Sequence, residues 1–169
     1  MEFNKTVCQN FFDFSRELNE SDGIIQNIYK IIQYYKSKDE GLFYGMEKRL
    51  TRASHACRDA DDFIKLAKTC FRNQKVRTNE KREYLALLFY TGEWLNEQAR
   101  LFVQDVKLHA VTDTIILSMA LILTNDLNFR SRADWYDLRR PLRISENDNL
   151  SLWPFFLGIS AVALIKVLK

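Results

Sequence analysis

The chain has 169 residues, 47% of them hydrophobic and 28% charged, with a formal net charge of +3. That is enough apolar material for one compact domain with a sizeable core, and so small a positive surplus, interspersed with acidic residues, argues against nucleic acid as a partner. Both prolines, Pro141 and Pro154, fall after residue 140, which leaves a long breaker-poor stretch and favours an all-α fold.

Phe3, Val7, Phe11, Phe14 and Leu18 recur at steps of four or three and predict a first amphipathic helix. Ser21 and Asp22 read as the N-cap of a second, which carries Ile24, Ile25, Ile28, Tyr29, Ile31, Ile32 and Tyr35 and ends in the polar KSKDEG, with Gly41 marking the break. Leu42, Phe43, Met46, Leu50 and Ala53 give a third stripe; Phe63, Leu66, Ala67, Cys70 and Phe71 give a fourth. Asp61 and Asp62 stand at the positive end of that fourth helix, where negative charge is favoured. Polar RNQKVRT follows, and Asn79 is positioned to cap a fifth helix.

That fifth helix is unusual, because Tyr84 to Tyr90 is an unbroken apolar run. A helix apolar on every side has to be wrapped by other helices or by lipid. Leu101 to Val106 is a further apolar stretch, and TIILSMALILT, Thr114 to Thr124, is a sixth helix nearly as apolar as the fifth. Two such helices in succession predict a central hairpin, with Tyr84, Leu87, Leu88 and Ile116 in its interior. Asn125 to Arg140 is polar but holds Phe129, Trp135, Tyr136 and Leu138, a short amphipathic element.

The last stretch, Leu150 to Leu168, would rise about 28 Å as a helix, close to the thickness of a bilayer's hydrocarbon core. Lys166 can snorkel to the headgroups beside Lys169. Its place after the polar RISENDN favours a membrane anchor; the competing reading is a terminal helix folded onto the domain. The organisation read from sequence is thus a helical domain over 1–145 and a hydrophobic tail over 150–169.

Little in the chain suggests catalysis. His55 and His109 have no ligand spacing around them, and no GxGxxG, GxxxxGK or GxSxG occurs. Cys8, Cys57 and Cys70 are odd in number and form no CxxC pair, so neither a disulfide framework nor a zinc site is indicated and a reducing, cytosol-facing compartment is expected. The opening MEFNKTVCQNFFDF, with Glu2 and Asp13, lacks the basic-then-apolar order of a signal peptide. Asp59, Asp61 and Asp62 are better explained by a helix start than by a carboxylate site. We therefore expect no enzyme activity, metal or cofactor.

Two buried helices wrapped by amphipathic ones, with an apolar tail, resemble the layout of the Bcl-2 family. The likeness becomes residue-specific at Asn79-Glu80-Lys81-Arg82, which resembles that family's Asn-Trp-Gly-Arg motif at the start of its central helix; Asn79 and Arg82 match, Glu80 and Lys81 do not. Phe71-Arg72 resembles the Leu-Phe-Arg-Asp that ends the preceding helix, with Asn73 in place of the aspartate. Ala133-Asp134-Trp135-Tyr136-Asp137-Leu138 is similar to the second homology motif, its Gly-Gly-Trp reduced to the tryptophan. Ala60-Asp61-Asp62-Phe63 reads like part of a BH3 segment, but it lies too near Asn79 to leave room for the intervening helices, and Ala56 stands where the BH3 leucine belongs.

The resemblance implies a Bcl-2-like helical bundle, most like the divergent pro-survival homologues of large DNA viruses. The implied function is inhibition of apoptosis by sequestering the BH3 helices of pro-apoptotic proteins, at the mitochondrial outer membrane of the host cell, with pairing of two copies also open. Asn79 would cap the central helix, and Arg82 would pair with the aspartate of an incoming BH3 helix. Leu66, Cys70, Leu85 and Phe89 would floor the groove, rimmed by Arg72 and Arg82; for the apolar four, ordinary core is the competing reading. A pore-forming, pro-apoptotic relative and a helical adaptor without BH3 binding are the alternatives.

Overall fold

The computed structural model describes residues 1–17, 23–73 and 81–138. They form seven α-helices, and no strand occurs among the described residues: α1 Glu2–Glu17, α2 Gly23–Lys38, α3 Glu40–Ser54, α4 Ala60–Asn73, α5 Lys81–Phe102, α6 Asp105–Asn125 and α7 Arg132–Asp137. The chain divides into two units, Met1–Arg139 and Arg140–Lys169. All seven helices belong to the first; the apolar stretch read as an anchor, like the proposed caps Ser21, Asp22 and Asn79, lies outside the described residues.

Local chemistry explains where the helices start. Asp39, and not Gly41, separates α2 from α3, because its carboxylate accepts the Leu42 backbone N–H at 3.0 Å and so satisfies a donor the helix leaves open. Gly41 falls inside the first turn of α3. Ahead of α4, Asp59 Oδ1 accepts the Asp62 N–H at 3.0 Å while Asp62 Oδ2 accepts the Arg58 N–H at 3.1 Å, a reciprocal arrangement akin to a capping box. That bond from the Arg58 backbone is the main reason the Asp62 carboxyl sits below its ordinary range. Asp134 does the same for α7, accepting from the backbone N–H groups of Arg130 and Ser131 and from the Ser131 hydroxyl. Between α6 and α7 the chain turns at Asn128, whose φ of 54° lies in the left-handed region that asparagine tolerates.

The α5 helix is buried on every side from Tyr84 through Glu93. Tyr84, Leu87, Leu88 and Ile116 are all in the interior, none more than 9% exposed, as the run of apolar residues requires. The helix α6 differs from expectation in two ways. It begins at Asp105, nine residues before Thr114, because Val111 and Ile115 already continue the buried stripe backwards from Met119 and Leu123. It is also covered only in part: Leu117 and Leu121 are exposed beside Ala110, Asp113 and Asn125. Lys107–Asn125 is long and apolar enough to cross a membrane, a property it shares with core helices of soluble bundles.

The layers follow from these faces. The α5–α6 hairpin turns through Val103 and Gln104; α2 and α3 pack on α5, while α1 and α4 pack on α6, with α4–α6 and α2–α5 the broadest interfaces. Inside the hairpin, Thr112 Oγ1 donates to Asn96 Oδ1 at 2.8 Å. A Cβ at Gly92 would stand 2.4 Å from Met119 Sδ and 3.4 Å from Phe12 Cζ, so the Met119 thioether fills the space that a side chain at 92 would need. Alanine at 92 would gain about 1 kcal/mol of helix propensity, but overpacking costs about 1–3 kcal/mol. The expected result for Gly92→Ala is a net destabilisation of about 1 kcal/mol in chemical denaturation, and a stabilised variant would contradict the close crossing.

Candidate functional site

Of the residues singled out by sequence, Arg82 is the most distinctive in place. It is half-buried in the first turn of α5, and among the described residues it makes no hydrogen bond or ion pair. A positive charge in a first helical turn faces the positive end of the macrodipole, so neither the helix nor a neighbouring side chain accounts for it. Lys81 beside it is engaged: its ammonium lies 4.2 Å from the centre of the Phe129 ring, and it helps to hold the Asp134 carboxyl low, after the Ser131 and Arg130 hydrogen bonds. The two neighbouring cations therefore have different circumstances, one spent on the fold and one unspent.

On α4, Ala60, Phe63, Ala67 and Phe71 form the buried stripe. Leu66 and Cys70 flank it as a half-buried shoulder, and Arg72 is exposed at the end of the helix. Burial pushes the Cys70 thiol up to about 11, with a smaller contribution from Cys57, so Cys70 stays protonated at neutral pH and behaves as an apolar side chain.

The α5 half of the expected floor is closed. Leu85 and Phe89 are both completely buried. Phe89 meets Phe11 of α1 edge-on at 4.8 Å and Trp135 of α7 at 6.2 Å between ring centres, and among the described residues no ring contact joins it to α4. The four apolar residues thus divide into a partly accessible pair on α4 and a closed pair on α5, of which Phe89 meets α1 and α7.

Around that closed pair lies a polar knot not anticipated from sequence. Asn4, 2% exposed, receives the Trp135 indole N–H on Oδ1 at 3.1 Å, and its Nδ2 donates to Phe129 O at 2.7 Å and Thr124 Oγ1 at 2.9 Å. Trp135 in turn packs at 4.4 Å on Phe129. One buried amide therefore joins α1, the end of α6 and α7. The only signal for it in the chain is a polar residue inside the apolar stripe of the first helix.

A second cluster lies between α2, α3 and α5. Lys36 Nζ donates to Tyr90 OH at 2.8 Å, pairs with Glu47 at 3.5 Å and stands 4.7 Å above the Tyr90 ring, while the Tyr90 hydroxyl donates to Glu47. One turn along α5, the Tyr29 hydroxyl reaches Glu93 Oε1 at 3.4 Å. Burial, followed by the Glu97 charge, pushes the Glu93 carboxyl up to about 7. Glu93 is the one acidic residue in an otherwise apolar stretch of the central helix, which makes it visible in sequence, but only the fold reveals that it is buried.

In comparisons with known proteins, no family model, no curated protein and no solved structure matches this chain.

Proposed function

We propose that this protein is a pro-survival inhibitor of Bcl-2 type, which sequesters the BH3 helices of pro-apoptotic proteins by helix-in-groove recognition and faces the cytosol at the mitochondrial outer membrane of a host cell. The observation that carries the reading is Arg82, a half-buried cation without a counter-charge among the described residues, two residues before the central apolar run and in the motif position whose partner would be an aspartate. Leu66 and Cys70 are the partly accessible apolar side chains that would meet the partner's anchors, with Arg72 at the rim. Against the pore-forming alternative, the BH3-like Asp62 accepts the Arg58 backbone N–H at the start of α4 and Phe63 is 1% exposed, so these two side chains are already engaged in the fold. The adaptor alternative draws on the full burial of Leu85 and Phe89, which leaves the α5 floor closed unless α1 or α7 moves.

Titration of the full chain with a panel of BH3 peptides separates these readings, since the inhibitor binds at least one member and the adaptor none. Arg82→Ala should then weaken binding by about 2 kcal/mol, the lower end of the range for breaking one partner of a desolvated pair, because Arg72 can substitute in part. The same substitution should have no effect on a peptide whose aspartate is replaced by alanine. Lys81→Ala removes a cation–π contact of roughly 0.5–1 kcal/mol and should lower stability without distinguishing the two peptides. Equal losses for both peptides with Arg82→Ala would overturn the assigned pair.

A further inference from the structure

On the outward face of α3, Tyr44, Lys48, Arg49 and Arg52 are all exposed. Lys48 and Arg52 stand four residues apart and Arg49 and Arg52 three, so they are like-charge neighbours on the helix surface, a spacing that works against the helix. No carboxylate occupies a position three or four residues before or after any of them. Glu47, the one acidic side chain in the middle of α3, is turned to Lys36 and Tyr90 instead. Among the described residues none of the three cations makes an ion pair; Arg49 Nε donates only to Gly45 O, at 3.2 Å. The helix dipole accounts for Arg52 in the last turn but not for the other two.

The cations surround free space. Nothing lies within 4 Å of where a Cβ at Gly45 would be, and an open recess of about 370 Å³ is lined there by Gly45, Lys48, Arg49, Arg52 and Ala53. Tyr44, 65% exposed, precedes Gly45 and stands one helical turn before Lys48.

We infer that this face of α3 binds the headgroups of anionic phospholipids. Guanidinium and ammonium groups supply the charge-assisted donors that a phosphate or carboxylate takes, and an exposed tyrosine beside basic residues is the composition of a side chain set at headgroup level. An acidic protein surface would meet the same charges, but docking of proteins is usually anchored by a central cluster of buried apolar or aromatic side chains, and this face offers a single tyrosine. The inference goes beyond BH3 binding and is independent of the tail, which would hold a bilayer whatever its charge.

The test is co-sedimentation of the full chain with vesicles of phosphatidylcholine alone and of phosphatidylcholine containing phosphatidylserine, comparing the native sequence with the combined Lys48→Gln, Arg49→Gln and Arg52→Gln variant. Three basic residues near an anionic surface should raise partitioning by about a hundredfold, and added salt should erode the gain. The variant should lose this preference while its binding to phosphatidylcholine stays unchanged and its thermal melting is not lowered. Should the combined variant fold poorly, Arg49→Gln alone should lose about fivefold. Equal binding of the native chain to both vesicles, as an acidic protein partner would give, overturns the inference. A preference that survives the substitutions does so as well.

Discussion

Replacing Trp135 by alanine should destabilise the helical domain by about 3–5 kcal/mol, the range for removing a fully buried large aromatic. The side chain is 1% exposed, and its loss would strip Phe129 and Phe89 of a ring neighbour while leaving Asn4 Oδ1 without the indole donor. Trp135→Phe separates the two contributions. It keeps most of the ring and removes the N–H, so its cost should be about 1–3 kcal/mol, that of an unsatisfied buried acceptor. The measurement is denaturant unfolding of both variants with the slopes compared. A loss below about 1 kcal/mol for the alanine variant would mean that α7 does not cover the core as described.

Glu93→Gln should stabilise the protein, and the gain should depend on pH. With its carboxyl raised from an ordinary 4.5 to about 7, Glu93 is protonated in both folded and unfolded chains at pH values below 4.5, and burial then costs no charge. As pH rises from there toward 7, the unfolded chain ionises first, so stability falls; above 7 both states are ionised and the full penalty, about 3 kcal/mol, is in place. The groups that face the carboxylate are Tyr29 and Lys36 from α2 and Glu97 from α5 itself, with Glu97 adding to the rise and the other two opposing it. Glutamine keeps an oxygen for the Tyr29 hydroxyl but never ionises. The variant should therefore match the native protein near about pH 4 and exceed it by up to about 3 kcal/mol near about pH 8. Equal stability of the two across that range would show that Glu93 is not the group that carries the penalty.

Helices with a strong one-sided pattern are legible in the sequence itself. The stripe of α2 is buried throughout and that of α4 at Phe63, Ala67 and Phe71, with Leu66 and Cys70 half-buried beside them, and the run from Tyr84 to Tyr90 correctly implies a surrounded helix, since nothing except neighbours or lipid can cover apolar residues on every side. Boundaries are less so. Gly41 is the obvious breaker, yet the carboxylate of Asp39 supplies the stop; TIILSMALILT draws attention to its own edges, while the helix that contains it starts among the mixed residues after Gln104. The expected floor exposes a deeper limit. Leu66 with Cys70, and Leu85 with Phe89, are each neighbours along one helix, but which flank of α5 turns toward α4 depends on how α1 and α7 seat against it, through contacts more than a hundred residues apart in sequence such as that of Asn4 with Trp135. Periodicity carries no record of such pairings.

The position of α1 has a consequence for synthesis on the ribosome. Its main partner is α6, with far less contact to α2, the helix that follows it, and its buried amide is satisfied by residues 124, 129 and 135. The first helix to leave the exit tunnel thus gains some neighbours early, Phe11 meeting Tyr29 of α2 and Phe89 of α5, but its Asn4 amide has none of its final partners until Thr124 and the residues after it have been made. The native core cannot close during elongation; the nascent chain has to complete its folding after α7 has emerged, and until then the stripe of α1 is a target for chaperones and for wrong partners. Lengthening the chain behind α7 in stalled nascent chains should therefore produce protease resistance in one late step, whereas stalls before α6 should leave α1 digestible.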